Sequence, residues 1–95
     1  MTVYVDNSFI KASVPYRGRK IKSRWCHMFA HPDERDELHA LAASIGLRRE
    51  WFQADHRRPE MHHYDLTEPR RRAAVAAGAV EVTWREAANL MRSWW

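Results

Sequence analysis

The stretch Ile21-Lys22-Ser23-Arg24-Trp25-Cys26-His27-Met28-Phe29-Ala30 decides how this chain reads. β-formers dominate it, and Trp25-Cys26-His27-Met28-Phe29 is its strongest part, so it predicts a strand. Pro32-Asp33-Glu34 follows at once and opens a helix, because proline fits the first turn and acids complement the dipole. Leu38, Leu41, Ala42 and Ile45 recur at helical spacing and form its buried face, and Gly46 ends it. Leu47 to Gln53, with Trp51-Phe52, predicts a further strand. Strand, helix and strand in this order point to a right-handed parallel crossover.

Working outward, Thr2-Val3-Tyr4-Val5 alternates as a first strand that Asp6-Asn7-Ser8 ends. Phe9 to Lys20 holds Pro15 and Gly18 among basic residues and predicts a long loop. Ala54 to Glu60 predicts another loop, and Met61 to Leu66 a short extended segment. Thr67 then stands ready to cap a helix with Pro69 in its first turn. That helix runs through the alanines to Gly78, and Ala79 to Val82 predicts a last strand. Thr83-Trp84-Arg85-Glu86 spells a capping box opening a helix to about Trp94. The expectation is an α/β fold over residues 1–95, a single domain: a small mixed sheet of four or five strands with two or three packed helices.

Length and composition bound the function. The chain has 95 residues, 45% of them hydrophobic, which suits one domain with a genuine core. Net charge is +4, so an acidic partner is permitted, although twelve interspersed acids weaken the usual nucleic-acid footprint. The cations gather in two clusters, Arg17 to Arg24 and Arg57 to Arg72. One cysteine, Cys26, allows no internal disulfide and reads as a buried, inert thiol. No leader-like start and no membrane-length apolar run is present, so the expected setting is soluble and cytoplasmic.

Three groups of residues carry candidate chemistry. His27, His39, His63 and Asp65 are competent ligands for a divalent metal or general acids and bases. Their spacing matches no tight motif such as His-Glu-x-x-His, and the alternative is that His27 and His39 are structural. Asp6 reads as a ligand, a base or an Asx-turn residue, the turn being the base-rate choice. Arg70, Arg71 and Arg72 stand in the first turn of a helix, where cations oppose the dipole and free N–H groups suit an anion. Successive positions point about 100° apart, so only one or two can face one ligand. Trp51 and Gln53 offer a stacking ring beside an amide, as nucleotide sites do, against a core role for Trp51 or Phe52. The terminal pair Trp94-Trp95 is expected to fold back on the sheet or join a second subunit as a homodimer.

Taken together, Val3-Tyr4-Val5-Asp6, Trp25-Cys26-His27-Met28, Asp36-Glu37-Leu38-His39, Ile45-Gly46-Leu47, Trp51-Phe52-Gln53, His63-Tyr64-Asp65-Leu66-Thr67, Arg71 and Gly78-Ala79-Val80 form one pattern. It resembles the small bacterial and phage proteins grouped as domain-of-unknown-function family 4031, over nearly the whole chain. The resemblance implies a stand-alone intracellular protein and adds no catalytic assignment. Asn7 stands where the pattern would place a second acid after Asp6, and Pro32-Asp33 lengthens the start of the first helix. The functional expectation is a domain binding a phosphate-bearing ligand, a nucleotide or nucleic-acid end. His63, Asp65 and His39 are the catalytic candidates for phosphoester hydrolysis, with Arg71, Trp51, Gln53 and His27 contacting the ligand. The alternative is a non-catalytic interaction protein using the basic stretch Tyr16 to Arg24.

Overall fold

In the computed structural model the described residues are 2–16, 18–54 and 57–94, with side chains described for all of these but 14–16 and 60. Arg17, Trp95 and residues 55–56 of the expected loop therefore lie outside the description. The described residues form five strands and three α-helices in the order β1 (Val3–Val5), β2 (Ile10–Tyr16), β3 (Arg19–Ala30), α1 (Arg35–Ser44), β4 (Tyr64–Leu66), α2 (Glu68–Ala76), β5 (Val80–Glu81) and α3 (Trp84–Ser93). The α/β fold with a small mixed sheet is as expected.

Strand β3 is the spine. Its first half pairs antiparallel with β2, from Tyr16 opposite Arg19 to Ile10 opposite Trp25. Its second half pairs antiparallel with β1 on one side and β4 on the other. Among the described residues the parallel pairing is β1 with β5. The expected parallel crossover through Leu47 to Gln53 is corrected: this segment forms a 3-10 turn at Arg49–Trp51, and only Gln53 pairs, as a single bridge to His63. Trp51 and Phe52 pack against the core from that turn instead of alternating in a strand.

The expected loop from Phe9 to Lys20 is also corrected, to a hairpin. Pro15 lacks a donor, which an edge strand tolerates, and β2 pairs only with β3 among the described residues. Gly18, at φ 76°, takes the left-handed conformation the tight turn needs.

Alternation sorts the sheet into two faces. Val3, Val5, Cys26, Met28, Ala30, Tyr64 and Leu66 are buried on one face, under Leu38 and Ala42 of α1 and Ala74 of α2. Burial of Met28, Leu38 and Leu66 contributes about 1.5–3 kcal/mol each. Tyr4, Phe29, His27 and Asp65 occupy the other face, by register. Helix α3 lies over part of it. The capping box expected at its start is formed, with Thr83 Oγ1 accepting from Glu86 N–H and Glu86 Oε1 accepting from Thr83 N–H. Its first backbone N–H, from Trp84, donates to Asn7 Oδ1 at 2.8 Å. At its end Trp94 packs on Phe29 and Tyr4, with centroids 6.0 and 6.1 Å away. Trp94 thus takes the fold-back alternative.

The bend that builds the site lies between β1 and β2. Val5 opposes Met28 and Ile10 opposes Trp25, so the four residues Asp6 to Phe9 face only Cys26 and His27. Such bulges re-aim side chains. Phe9 absorbs the distortion at φ 46°, an uncommon conformation for a side-chain-bearing residue.

Candidate metal centre

The bulge places Asp6 beside His27. Its backbone N–H still donates to the His27 carbonyl, at 3.0 Å. Its carboxylate then takes over the return bond: Oδ1 accepts the His27 N–H at 2.9 Å, and Oδ2 lies 2.7 Å from His27 Nδ1. Ser8 Oγ donates to the same Oδ1 at 2.9 Å. Burial opposes ionisation of Asp6, but these bonds and the imidazole outweigh it and hold the carboxyl below its ordinary range. The ionised carboxylate only accepts, so Nδ1 of His27 carries a proton, and in the neutral ring Nε2 is the atom that presents a lone pair.

One strand over, Asp65 stands opposite His27 in the register of β3 and β4. His63, two residues earlier, shares its face. The His63 Nδ1 lies 2.9 Å from the Met61 carbonyl oxygen, which can only accept. That fixes His63 in the same tautomer, with Nε2 turned toward Asp65. Nε2 of His63 is 3.2 Å from Asp65 Oδ1, and Nε2 of His27 is 3.9 Å from that oxygen. The two rings meet edge to face, 4.8 Å apart. Gln53 Nε2 donates to the other oxygen of Asp65, Oδ2, at 2.6 Å. The backbone bridge between Gln53 and His63 holds that amide in place.

The Nε2 atoms of two imidazoles and a carboxylate oxygen therefore converge, all within 4.8 Å of one another. Three acceptors aimed at one point repel unless a cation stands between them. A proton on His63 is one such cation. Burial works against it, but the bonds to Asp65 and to the Met61 carbonyl raise the His63 pKa above its ordinary value. Burial likewise opposes ionisation of Asp65, and the bonds from His63 and Gln53 outweigh it, leaving its pKa lowered. A divalent metal is the other cation. Each imidazole is oriented through Nδ1 by an acceptor behind it, as metal-ligating histidines are. All three side chains remain partly open to solvent, which leaves positions for water or substrate.

Of the residues expected to form one pocket, His27, His63, Asp65 and Gln53 are brought together. His39, Arg71 and Trp51 are not. His39 projects from α1 on the opposite face of the sheet, where its Nδ1 lies 2.7 Å from Tyr64 Oη and its ring meets Phe52. Burial, with Arg49 and Arg35 nearby, lowers its pKa.

Arg71 is consumed by the fold. Its Nε donates to the Asp6 carbonyl at 2.8 Å, an acceptor that the bulge frees from the ladder, and Nη1 pairs with Glu81 at 2.9 Å. Arg70 instead donates to the Ile45 carbonyl at 2.9 Å and lies over the Trp51 ring. The arginines of this helix start therefore diverge to separate partners rather than forming one anion clamp. Cys26 is fully buried and burial raises its pKa, in keeping with an inert thiol.

What the residues alone did not reveal is the role of Asp6. The Asx-turn reading is realised in its contacts to Ser8. The same carboxylate also orients the His27 ring, and the only sequence signal of that was an acid directly after a strand.

No helix of the described residues is long and apolar enough to cross a membrane. No curated protein and no solved structure matches the chain significantly. The model of the family described as proteins of unknown function, DUF4031, matches residues 3–94, nearly the whole chain, and the chain belongs to that family.

Proposed function

We propose that this domain binds one divalent metal through His27 Nε2, His63 Nε2 and Asp65, and uses it to hold and hydrolyse a phosphoester. The observation that carries the reading is the convergence of two tautomer-fixed imidazole nitrogens on a carboxylate oxygen. Two nitrogens and one oxygen suit zinc, manganese, iron or cobalt rather than magnesium or calcium, which prefer all-oxygen shells. Three protein ligands leave open positions, the mark of catalytic rather than structural sites. Bound metal supplies Lewis acidity toward a phosphoryl oxygen and acidifies its own water. Asp6 and the Met61 carbonyl keep both imidazoles in the ligating tautomer. Gln53 steadies the carboxylate. The anion is thus met by the metal, not by Arg71.

Titration of EDTA-treated protein with Zn(II) or Mn(II), followed by hydrolysis of bis(p-nitrophenyl) phosphate, tests the proposal. One ion per chain is expected, with binding and turnover lost in His63→Ala while the circular-dichroism spectrum is kept. Wild-type protein that takes up none of these metals would sink the reading. A second reading, a module that binds a macromolecular partner through the basic stretch, is favoured by that stretch being an exposed hairpin rather than a loop.

A further inference from the structure

Residues 10–25 hold six of the sixteen basic side chains and none of the twelve acids, so this stretch is +6 and the rest of the chain −2. No acid occurs anywhere from residue 7 to residue 32. The modest net charge of the whole chain conceals a strongly polarised molecule. The described residues of this stretch form the β2–β3 ribbon, whose strands pair only with each other along this length.

Directly opposed residues of an antiparallel pair share a face. Lys11 stands opposite Arg24, Ser13 opposite Lys22, and Pro15 opposite Lys20. Lys20, Lys22 and Arg24 therefore form a row along β3, with Lys11 of β2 beside Arg24 on the same face, and all four are exposed. The other face holds Ile10, Ala12, Ile21, Ser23 and Trp25, with Arg19 as its one cation, at the tip end. Along β3, same-face residues recur about every 6.7 Å, a repeat of the same order as that of phosphates on a nucleic-acid strand. A shallow groove runs along the basic face between Lys11, Ser13, Lys22 and Arg24, with Glu68 at its inner end. Glu68 pairs with Arg24 at 2.6 Å and leaves the lysines toward the tip without an acid in the groove.

We propose that the basic face of the β2–β3 ribbon is a docking surface for the phosphate backbone of nucleic acid. A two-stranded ribbon is also one of the two elements that the duplex major groove admits. Lysine on exposed strands guards against edge-to-edge aggregation. That role is met by charge of either sign and does not call for a segment free of acids on a body that is net negative. His27 projects from the opposite face of the same strand, so the docking surface is distinct from the proposed metal centre and the two are tested apart.

The test is binding of fluorescein-labelled duplex and single-stranded oligonucleotides to the full chain, read by anisotropy as KCl is varied. Three to four phosphate contacts predict a loss of about 40- to 150-fold between 50 and 200 mM salt on duplex. Lys20→Gln/Lys22→Gln is expected to weaken binding about 10-fold or more and to flatten the salt slope by about two. The charge-matched control Arg85→Gln/Arg92→Gln, on α3, should bind like wild type, as should His63→Ala after EDTA treatment. Equal losses in the ribbon and control variants would reduce the effect to net charge and overturn the proposal. Loss of binding in His63→Ala would move the contact to the metal face and overturn it too. Tighter binding to phosphatidylserine vesicles or polyglutamate than to either oligonucleotide would assign the ribbon to another partner.

Discussion

Asp6→Asn is the most informative single change. The side chain keeps its shape and Oδ1, so the bonds from His27 N–H and Ser8 Oγ survive. The atom facing His27 Nδ1 at 2.7 Å becomes an NH2 group. Two donors then confront each other. Imidazole resolves this by moving its proton to Nε2, leaving Nδ1 to accept from the amide. That switch removes the lone pair that points at Asp65 and with it one metal ligand. Loss of such an orienting partner costs about 10- to 100-fold in metal affinity, or about 1.4–2.8 kcal/mol. Folding suffers as well, because a bond to a buried charge is exchanged for a neutral one, at about 1–2 kcal/mol. The assay pairs Zn(II) titration against a competing chelator with 15N NMR of the imidazole nitrogens. Wild type should show His27 protonated at Nδ1, and the variant at Nε2 with weakened affinity. An unchanged tautomer together with wild-type affinity would refute the reasoning.

Other changes separate structural from functional roles. Arg71→Ala leaves the Asp6 carbonyl without its guanidinium and should lower stability by about 1–3 kcal/mol in urea unfolding. Metal affinity should fall far less than in Asp6→Asn, because the Asp6 carboxylate is untouched. Gly46 sits at φ 84°, and an added Cβ would meet Arg70 Nη1 at 3.0 Å. Gly46→Ala should therefore cost about 1–2 kcal/mol from the left-handed conformation alone. His39 is held neutral by burial and by Arg49 and Arg35, with its pKa lowered from 6.5. The unfolded chain takes up its proton first as pH falls through that ordinary value. Stability due to neutral His39 is thus full above about pH 6.5 and is lost as pH falls toward the folded pKa. His63, with its pKa raised, acts in the opposite sense, its contribution present at low pH and lost as pH rises through the folded value. Comparing urea midpoints of His39→Gln and wild type at pH 7 and 5.5 isolates the first effect: the variant should lose less on acidification.

Local signals gave the helices well. Capping chemistry at Thr83 and Glu86, proline at the helix starts and glycine at 46 and 78 act within one turn, so the residues alone located α1, α2 and α3. Two expectations failed where distant partners decide. Trp51 and Phe52 have strand-like chemistry, yet their apolar area is better buried against α1 and Tyr64 from a 3-10 turn, with one bridge at Gln53. Pro15 and Gly18 read as loop markers, but at a ribbon's free edge and tip neither breaks pairing.

The site was half legible for the same reason. His63 and Asp65 alternate on one strand, so their shared face follows from the sequence. Their meeting with His27 depends on the register of β3 against β4, which no local pattern states. Arg71 misled because its position in the first turn of α2 is unfavourable for the helix, which suggested an external anion. The carbonyl of Asp6, released from the ladder by the bulge, supplies an internal partner instead. One irregularity, four residues opposing two, thus explains both the failure and the success. It turns a carbonyl toward Arg71 on the core side and a carboxylate toward His27 on the open side. Deleting Asn7 and Ser8 would restore a regular ladder in which Asp6 opposes His27 directly and its carbonyl, not its carboxylate, accepts the His27 N–H, so the same change should release Arg71 and weaken metal uptake.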